Sequence, residues 1–314
     1  MPPDGPAPLS DDDDDDAGDW GPFGKPLFDD PSARALSRVG VVDVGSNSVR
    51  MVVFDGAARS PAYFYNEKIM CGLGKGLAQT GHLHPEGKAR ALSALKRFSI
   101  LAKGMNIAPF TVVATAATRE ATDGADFQAQ VLRETGLKLH VIDGPEEARL
   151  SAQGVLLGWP EARGIVCDIG GNSMELARIG EGRVGKRVST PLGPFRLQQV
   201  SNDARKRKTH IDAILETAAK ELKPDGDRIY LVGGSWRVIA RLDMERRNYP
   251  LTVLHEYRMT PQGLLDTLDW LATTDLAALR GRTGTSAERM ELVPLACEVL
   301  REIIRILKPS EIDV

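Results

Sequence analysis

Two short turns hold the residues best suited to chemistry. Asp43-Val44-Gly45-Ser46-Asn47-Ser48 and Asp168-Ile169-Gly170-Gly171-Asn172-Ser173 share Asp, Gly, Asn and Ser in register, and each ends a β-branched run. Such a strand end presents unobstructed backbone N–H groups with hydroxyl and amide donors in a concave turn, which suits phosphate oxygens. The leading Asp43 and Asp168 can hold Mg²⁺ directly or through water, the usual way magnesium is kept beside phosphate. Gly, Asn and Ser also favour plain hairpin turns, but the whole set recurring with its Asp favours the phosphate reading. A third glycine turn, Val232-Gly233-Gly234-Ser235, joins a strand to a helix and offers its N–H groups as another anion site.

The surrounding sequence alternates short β-branched runs with longer helical stretches, the pattern of an α/β fold. Strands are expected at Val39–Val44, Val49–Asp55, Pro61–Met70, Phe110–Thr115 and Leu137–Ile142, with helices at Pro85–Lys103, Gly124–Glu134 and Pro145–Leu157. The stretch Gly158-Trp159-Pro160-Glu161 reads as a domain boundary. Beyond it the pattern restarts with strands at Gly164–Cys167 and Met174–Ile179. This implies two duplicated domains, 39–158 and 159–314, facing each other across a cleft to which each contributes one Asp-x-Gly-x-Asn-Ser turn.

The formal charge of −3 divides unevenly, with −7 on residues 1–38 and +4 on the remainder. The arm contains the aspartate run Asp11–Asp16 and seven of the 19 prolines, a composition expected to stay disordered. It is expected to act as a solvating tail, or to compete with a polyanion for the cleft. No run of 18 apolar residues and no secretory signal pattern occurs, so a soluble, cytoplasmic protein without membrane attachment is expected. Cys71, Cys167 and Cys297 are odd in number and far apart, which points to reduced thiols.

Paired Asp-x-Gly turns in a duplicated α/β chain resemble the actin, sugar kinase and Hsp70 superfamily. Within it the chain resembles the exopolyphosphatase and guanosine pentaphosphate phosphatase (Ppx/GppA) family. The resemblance rests on Asp43–Arg50, Cys71-Gly-Leu-Gly-Lys-Gly-Leu77, Ala114-Thr-Ala-Ala-Thr-Arg119, Val141–Leu150, Asp168–Glu175, Pro191-Leu-Gly-Pro-Phe-Arg196 and Val232-Gly-Gly234. It implies two ribonuclease H-like, actin-like ATPase domains and a phosphoanhydride hydrolase acting on polyphosphate. A guanosine penta- or tetraphosphate stays open as the alternative substrate. In this sequence Asn172 stands where the family's second turn carries a third glycine. Family members also continue beyond the position of Val314 into a Ser-x-x-Gly-x-Arg-Glu-Gly segment, so a minimal and a truncated member both stay open.

The same resemblance implies the site. Asp43 and Asp168 would flank Mg²⁺, while Ser46, Asn47, Ser48, Gly170, Gly171, Asn172, Ser173, Gly233 and Gly234 would hold phosphate. Glu147 matches the carboxylate that activates water, Glu175 a second functional carboxylate, and Arg119 a guanidinium paired with phosphate. Arg149 is expected to orient Glu146 or Glu147. No specific nucleic-acid partner is implied, and a homodimer is compatible with the resemblance.

Other phosphatase chemistries fit poorly. Cys71 is followed six residues later by Leu77 where a cysteine phosphatase needs Arg, and Asp43 lacks the second Asp of a phospho-aspartyl enzyme. No Ser or Thr follows Lys75, as a nucleotide-binding P-loop would require. An ATP-dependent kinase and a non-catalytic polyphosphate or alarmone binder are the remaining rivals. The carboxylates at 43, 147, 168 and 175 argue against the binder, because negative charge beside phosphate does not help binding. The basic run Arg205–Lys208 is read as a solvated helix face that could guide a polyanion.

Overall fold

The structure is a computed structural model that describes residues 38–54, 63–283 and 286–314. The readings of the acidic arm, and the expected start of the third strand at Pro61, lie outside the described residues apart from Arg38. The first half runs β1 (Val39–Val44), β2 (Ser48–Phe54), β3 (Tyr63–Met70), α1 (Leu77–Thr80), α2 (Pro85–Gly104), β4 (Phe110–Ala114), α3 (Ala116–Glu120), α4 (Gly124–Thr135) and β5 (Leu139–Val141). Helix α5 (Gly144–Gly158) leads into β6 (Gly164–Ile169), β7 (Met174–Gly180), β8 (Arg183–Thr190), α6 (Pro194–Val200), α7 (Ala204–Leu222), β9 (Ile229–Gly233) and α8 (Gly234–Arg246). The chain finishes with β10 (Arg258–Met259), α9 (Pro261–Thr273), α10 (Leu276–Thr283), α11 (Ala287–Met290), α12 (Val293–Leu307) and β11 (Ile312–Asp313).

The duplication is visible in the strand order. The first sheet is β3-β2-β1-β4-β5 and the second β10-β11-β9-β6-β7-β8. In each, an antiparallel three-stranded meander (β1-β2-β3, β6-β7-β8) is extended from its first strand by two parallel strands (β4 and β5, β9 and β11). That shared order is the ribonuclease H-like arrangement, repeated as in actin-like proteins.

Alternation along β6 shows how one strand serves two layers. Ile165, Cys167 and Ile169 face the large core built with α7, α8, α9 and α12, whereas Val166 joins Ala148 and Ala152 of α5 in a smaller core on the opposite face. A central strand covered on both faces reads as continuous apolar sequence, and Asp168 breaks that run on the α5 face. The first sheet packs against α2 and α4 through Leu95, Phe98, Phe127 and Val131. Helix α5, although it follows the first sheet in sequence, lies on β6, β7 and β8 of the second.

Cys71 and Cys167 are buried free thiols and Cys297 is a partly buried one. Among the described residues no helix is long and apolar enough to cross a membrane.

Candidate active site

Strand register decides which side chains share a face, since directly opposed residues project to the same side. Across the first sheet Asp43 stands opposite Arg50, and Arg50 opposite Lys68. Across the second, Asp168 stands opposite Glu175, and Glu175 opposite Ser189. Equivalent positions of the two copies therefore carry a basic row in one sheet and an acid-hydroxyl row in the other.

Helix α5 brings the fourth carboxylate. Asp143 caps it by accepting from the Glu146 amide at 2.8 Å, and Pro145 suits its first turn. Gly144 sits so close to β8 that a Cβ there would lie 2.3 Å from the Ser189 Cβ, so only glycine lets the helix start on that strand. One turn later the adjacent glutamates separate. Glu146 is buried against Arg149, whose Nε donates to it at 2.7 Å, while Glu147 turns toward the cleft. Arg119 Nη1 donates to the Ile142 carbonyl at 2.8 Å and to Glu147 Oε2 at 3.4 Å. It is thus engaged with the glutamate and does not lie along the cleft wall where phosphate would rest.

The cleft has a volume of about 230 Å³. Asp43, Ser46, Asn47 and Ser48 line it from the first sheet, and Asp168, Gly170, Gly171 and Ser173 from the second. Glu147, Gly233 and Gly234 complete the expected set that faces it. Gly233 has φ 115°, and a Cβ there would lie 2.7 Å from the Ile169 carbonyl oxygen and 3.0 Å from Asp168 Oδ1, so a side chain would be both strained and obstructed. Asn172 is buried, with its Oδ1 directed at Gly74 of the loop packed beneath the first turn. The side chain that replaces the family's third glycine therefore points out of the phosphate path. Glu175 lies behind the lining at 1 % exposure, accepting from Ser189 Oγ at 2.9 Å, and its Oε2 has no partner.

The carboxylates strain one another electrostatically. Burial, with Asp168 opposite, raises Asp43 to about 6, while Lys68 and Arg50 pull it down. Asp168 is raised by burial and eased by the hydrogen bond that Ser151 Oγ donates to it and by Arg237. Burial and Asp168 also raise Glu147 against the pull of Arg119, and Glu175 is raised by burial and by Glu147. Asp43 keeps contact with solvent while standing deep within surrounding protein, as a group on a cleft floor does.

Cations that sequence reasoning missed line the same cleft: Arg50, Lys68, Arg237 and Arg289. Hairpin register could have placed the first two beside Asp43. The other two come from α8 and α11, whose approach depends on tertiary packing. The basic run Arg205–Lys208, by contrast, holds α7 against α12, with Arg207 paired to Glu298 at 2.5 Å and Lys208 to Glu302 at 2.9 Å.

Among the described residues no group of three or more His, Cys, Asp or Glu side chains could hold a metal ion alone. Magnesium, however, keeps several waters and uses one or two carboxylates beside phosphate. Asp43 and Asp168 supply that number, and the upward push on Asp43 from Asp168 marks negative charge that a cation would relieve. The donor set fits such an ion.

The family model described as the Ppx/GppA phosphatase family matches residues 52–314. The chain belongs to this family. It is 30% identical over 256 residues to "Exopolyphosphatase 2" of Mycobacterium tuberculosis, covering 74% of this chain and 79% of that protein. It is 32% identical over 163 residues to "Exopolyphosphatase 1" of Mycobacterium leprae, covering 51% and 48%. Among solved Ppx/GppA structures, an exopolyphosphatase from Cytophaga hutchinsonii superposes with a TM-score of 0.79 at 22% identity, over 88% of this chain and 92% of that one. The Aquifex aeolicus family member gives 0.72 at 22% identity over the same shares. Both likenesses concern the fold.

Proposed function

We propose that the protein is an Mg²⁺-dependent exopolyphosphatase that removes terminal orthophosphate from inorganic polyphosphate. The observation that carries this reading is the gathering of four carboxylates, Asp43, Glu147, Asp168 and Glu175, with the cations Arg50, Lys68, Arg237 and Arg289 in and just behind one cleft. The relatives named as exopolyphosphatases support polyphosphate over a guanosine penta- or tetraphosphate. The division into actin-like units at 39–158 and 159–314 belongs to the same proposal.

In this reading the glycine-rich turns donate to the terminal phosphoryl oxygens, with Ser46, Asn47, Ser48 and Ser173 adding side-chain donors. Asp43 and Asp168 would hold Mg²⁺, which neutralises charge on the phosphate oxygens. Glu147 accepts a proton from water as the water oxygen bonds to the terminal phosphorus. The bridging P–O bond breaks and its electron pair leaves on the shortened chain. Arg119 fixes the Glu147 carboxylate and favours its ionised form, acting as a positioning residue. Glu175 stands behind it as a second carboxylate that keeps Glu147 a strong proton acceptor.

The test is phosphate release from polyphosphate, guanosine pentaphosphate and ATP, each with Mg²⁺ and with chelator. Release from polyphosphate that needs Mg²⁺ supports the reading. Release confined to guanosine pentaphosphate, or phosphoryl transfer from ATP to an acceptor, would replace it.

A further inference from the structure

Helix α8 carries Arg237 and Arg241 four residues apart, hence on one face and separated by about 6 Å along its axis. Arg237 lines the cleft and acts on Asp168 through its charge. Arg241 stands one turn farther from the third glycine turn, close enough to Arg289 that the two cations repel. With Arg50 and Lys68 they form a group of five positive side chains. Among the described residues no carboxylate forms an ion pair with any of them, and Arg50 is bonded only to the Asn66 side chain at 2.9 Å. Elsewhere among the described residues many guanidinium groups are neutralised, as with Arg178 and Asp227 or Arg207 and Glu298. Five like charges held together repel one another, offset only in part by Asp43 near Lys68 and Arg50 and by Asp168 near Arg237, and the free protein keeps Lys68 down at about 8 through burial and the neighbouring Arg289. A multivalent anion would relieve this.

We propose that Arg237 and Arg241 bind phosphoryl groups internal to a linear chain, Arg237 near the reacting end and Arg241 one helical turn farther in, and so select for chain length. The inference rests on the polyphosphate reading and extends it from the terminal phosphate to those behind it. Paired arginines can grip successive phosphoryl groups bidentately. A guanosine nucleotide would place a sugar and base, not phosphate, where Arg241 stands. Tripolyphosphate offers Arg241 at most its last phosphoryl group, whereas a long chain continues past it.

The experiment measures KM and kcat of the full chain on long-chain polyphosphate and on tripolyphosphate at several salt concentrations. Arg241→Gln should raise the ratio of KM for the long chain to KM for tripolyphosphate by about tenfold, with kcat on the long chain little altered. It should also flatten the salt dependence of long-chain KM, since one fewer phosphate contact releases one fewer counterion. Arg241→Lys, which keeps the charge, should recover part of the ratio, and Lys220→Gln on exposed α7 should leave it unchanged. Arg237→Gln should raise KM on both substrates. If Arg241→Gln folds with an unchanged melting temperature and leaves the KM ratio at the wild-type value, the inference fails alone. If the wild-type protein neither binds nor hydrolyses polyphosphate, the functional reading fails with it.

Discussion

Arg119 donates to Glu147 at 3.4 Å while the same nitrogen holds the Ile142 carbonyl at 2.8 Å. The guanidinium is thus tied to the backbone just before α5, and the helix delivers the carboxylate to it. An opposite charge at this range lowers a carboxyl's pKa. Removing it raises Glu147 further above its ordinary value.

Arg119→Gln should therefore move the acidic limb of the pH–rate profile upward by about one unit, because the base must lose its proton at higher pH to work. Arg119→Lys should restore part of that shift. A lower kcat with an unmoved profile would show that Arg119 does not act through Glu147.

Gly144→Ala should be disproportionately harmful for so small a change. Its Cβ would lie 2.3 Å from that of Ser189, so α5 must shift from β8 and carry Glu147 with it. We expect a loss of roughly 1–3 kcal/mol of stability and a larger fall in kcat than in polyphosphate affinity. Calorimetry and steady-state kinetics on the same preparation measure both.

The carboxylate cluster also makes a statement about pH and stability. Asp43 has a folded pKa of about 6, above its unfolded value, so between these pH values the folded chain holds more proton than the unfolded one. Stability from this group therefore falls as pH rises through that window and is flat above it. Lys68, lowered to about 8, changes stability only at higher pH, where its effect has the opposite sign. Asp43→Asn should melt close to wild type at about pH 3.5, below both pKa values, and above it at pH 7, by about 2–4 °C. Added Mg²⁺ should raise the wild-type melting temperature more at pH 7 than at pH 5, and should do so less in the variant.

The aspartate run Asp11–Asp16 matches in charge the cations that converge on the cleft. If it competes with substrate, deletion of residues 1–38 should lower the apparent KM for polyphosphate at low salt and have no effect at high salt. An unchanged KM at low salt would leave the arm without a role in substrate binding.

Much of this was legible in the sequence for definite reasons. The Asp-x-Gly turns announced themselves by recurring, and β1, α2 and α4 by period and caps; β1 begins and ends where expected. The boundary read at Gly158 follows the sequence pattern, yet the Ala148–Ala152 face of α5 is buried on the second sheet, a choice of partner that local pattern does not encode. Arg119 was found by motif, but its partner was decided by the Ile142 carbonyl, a tertiary contact. Arg237 and Arg241 look like ordinary helix-surface arginines until α11 brings Arg289 beside them.

The most direct measurement is Mg²⁺-dependent phosphate release from long-chain polyphosphate by the wild-type protein and Glu147→Gln. The variant keeps the shape of the side chain and removes its ability to take a proton. The account predicts that it binds polyphosphate with near wild-type affinity, melts at or above the wild-type temperature, and loses at least about 10²-fold in kcat. A folded Glu147→Gln protein that releases phosphate at the wild-type rate would contradict it.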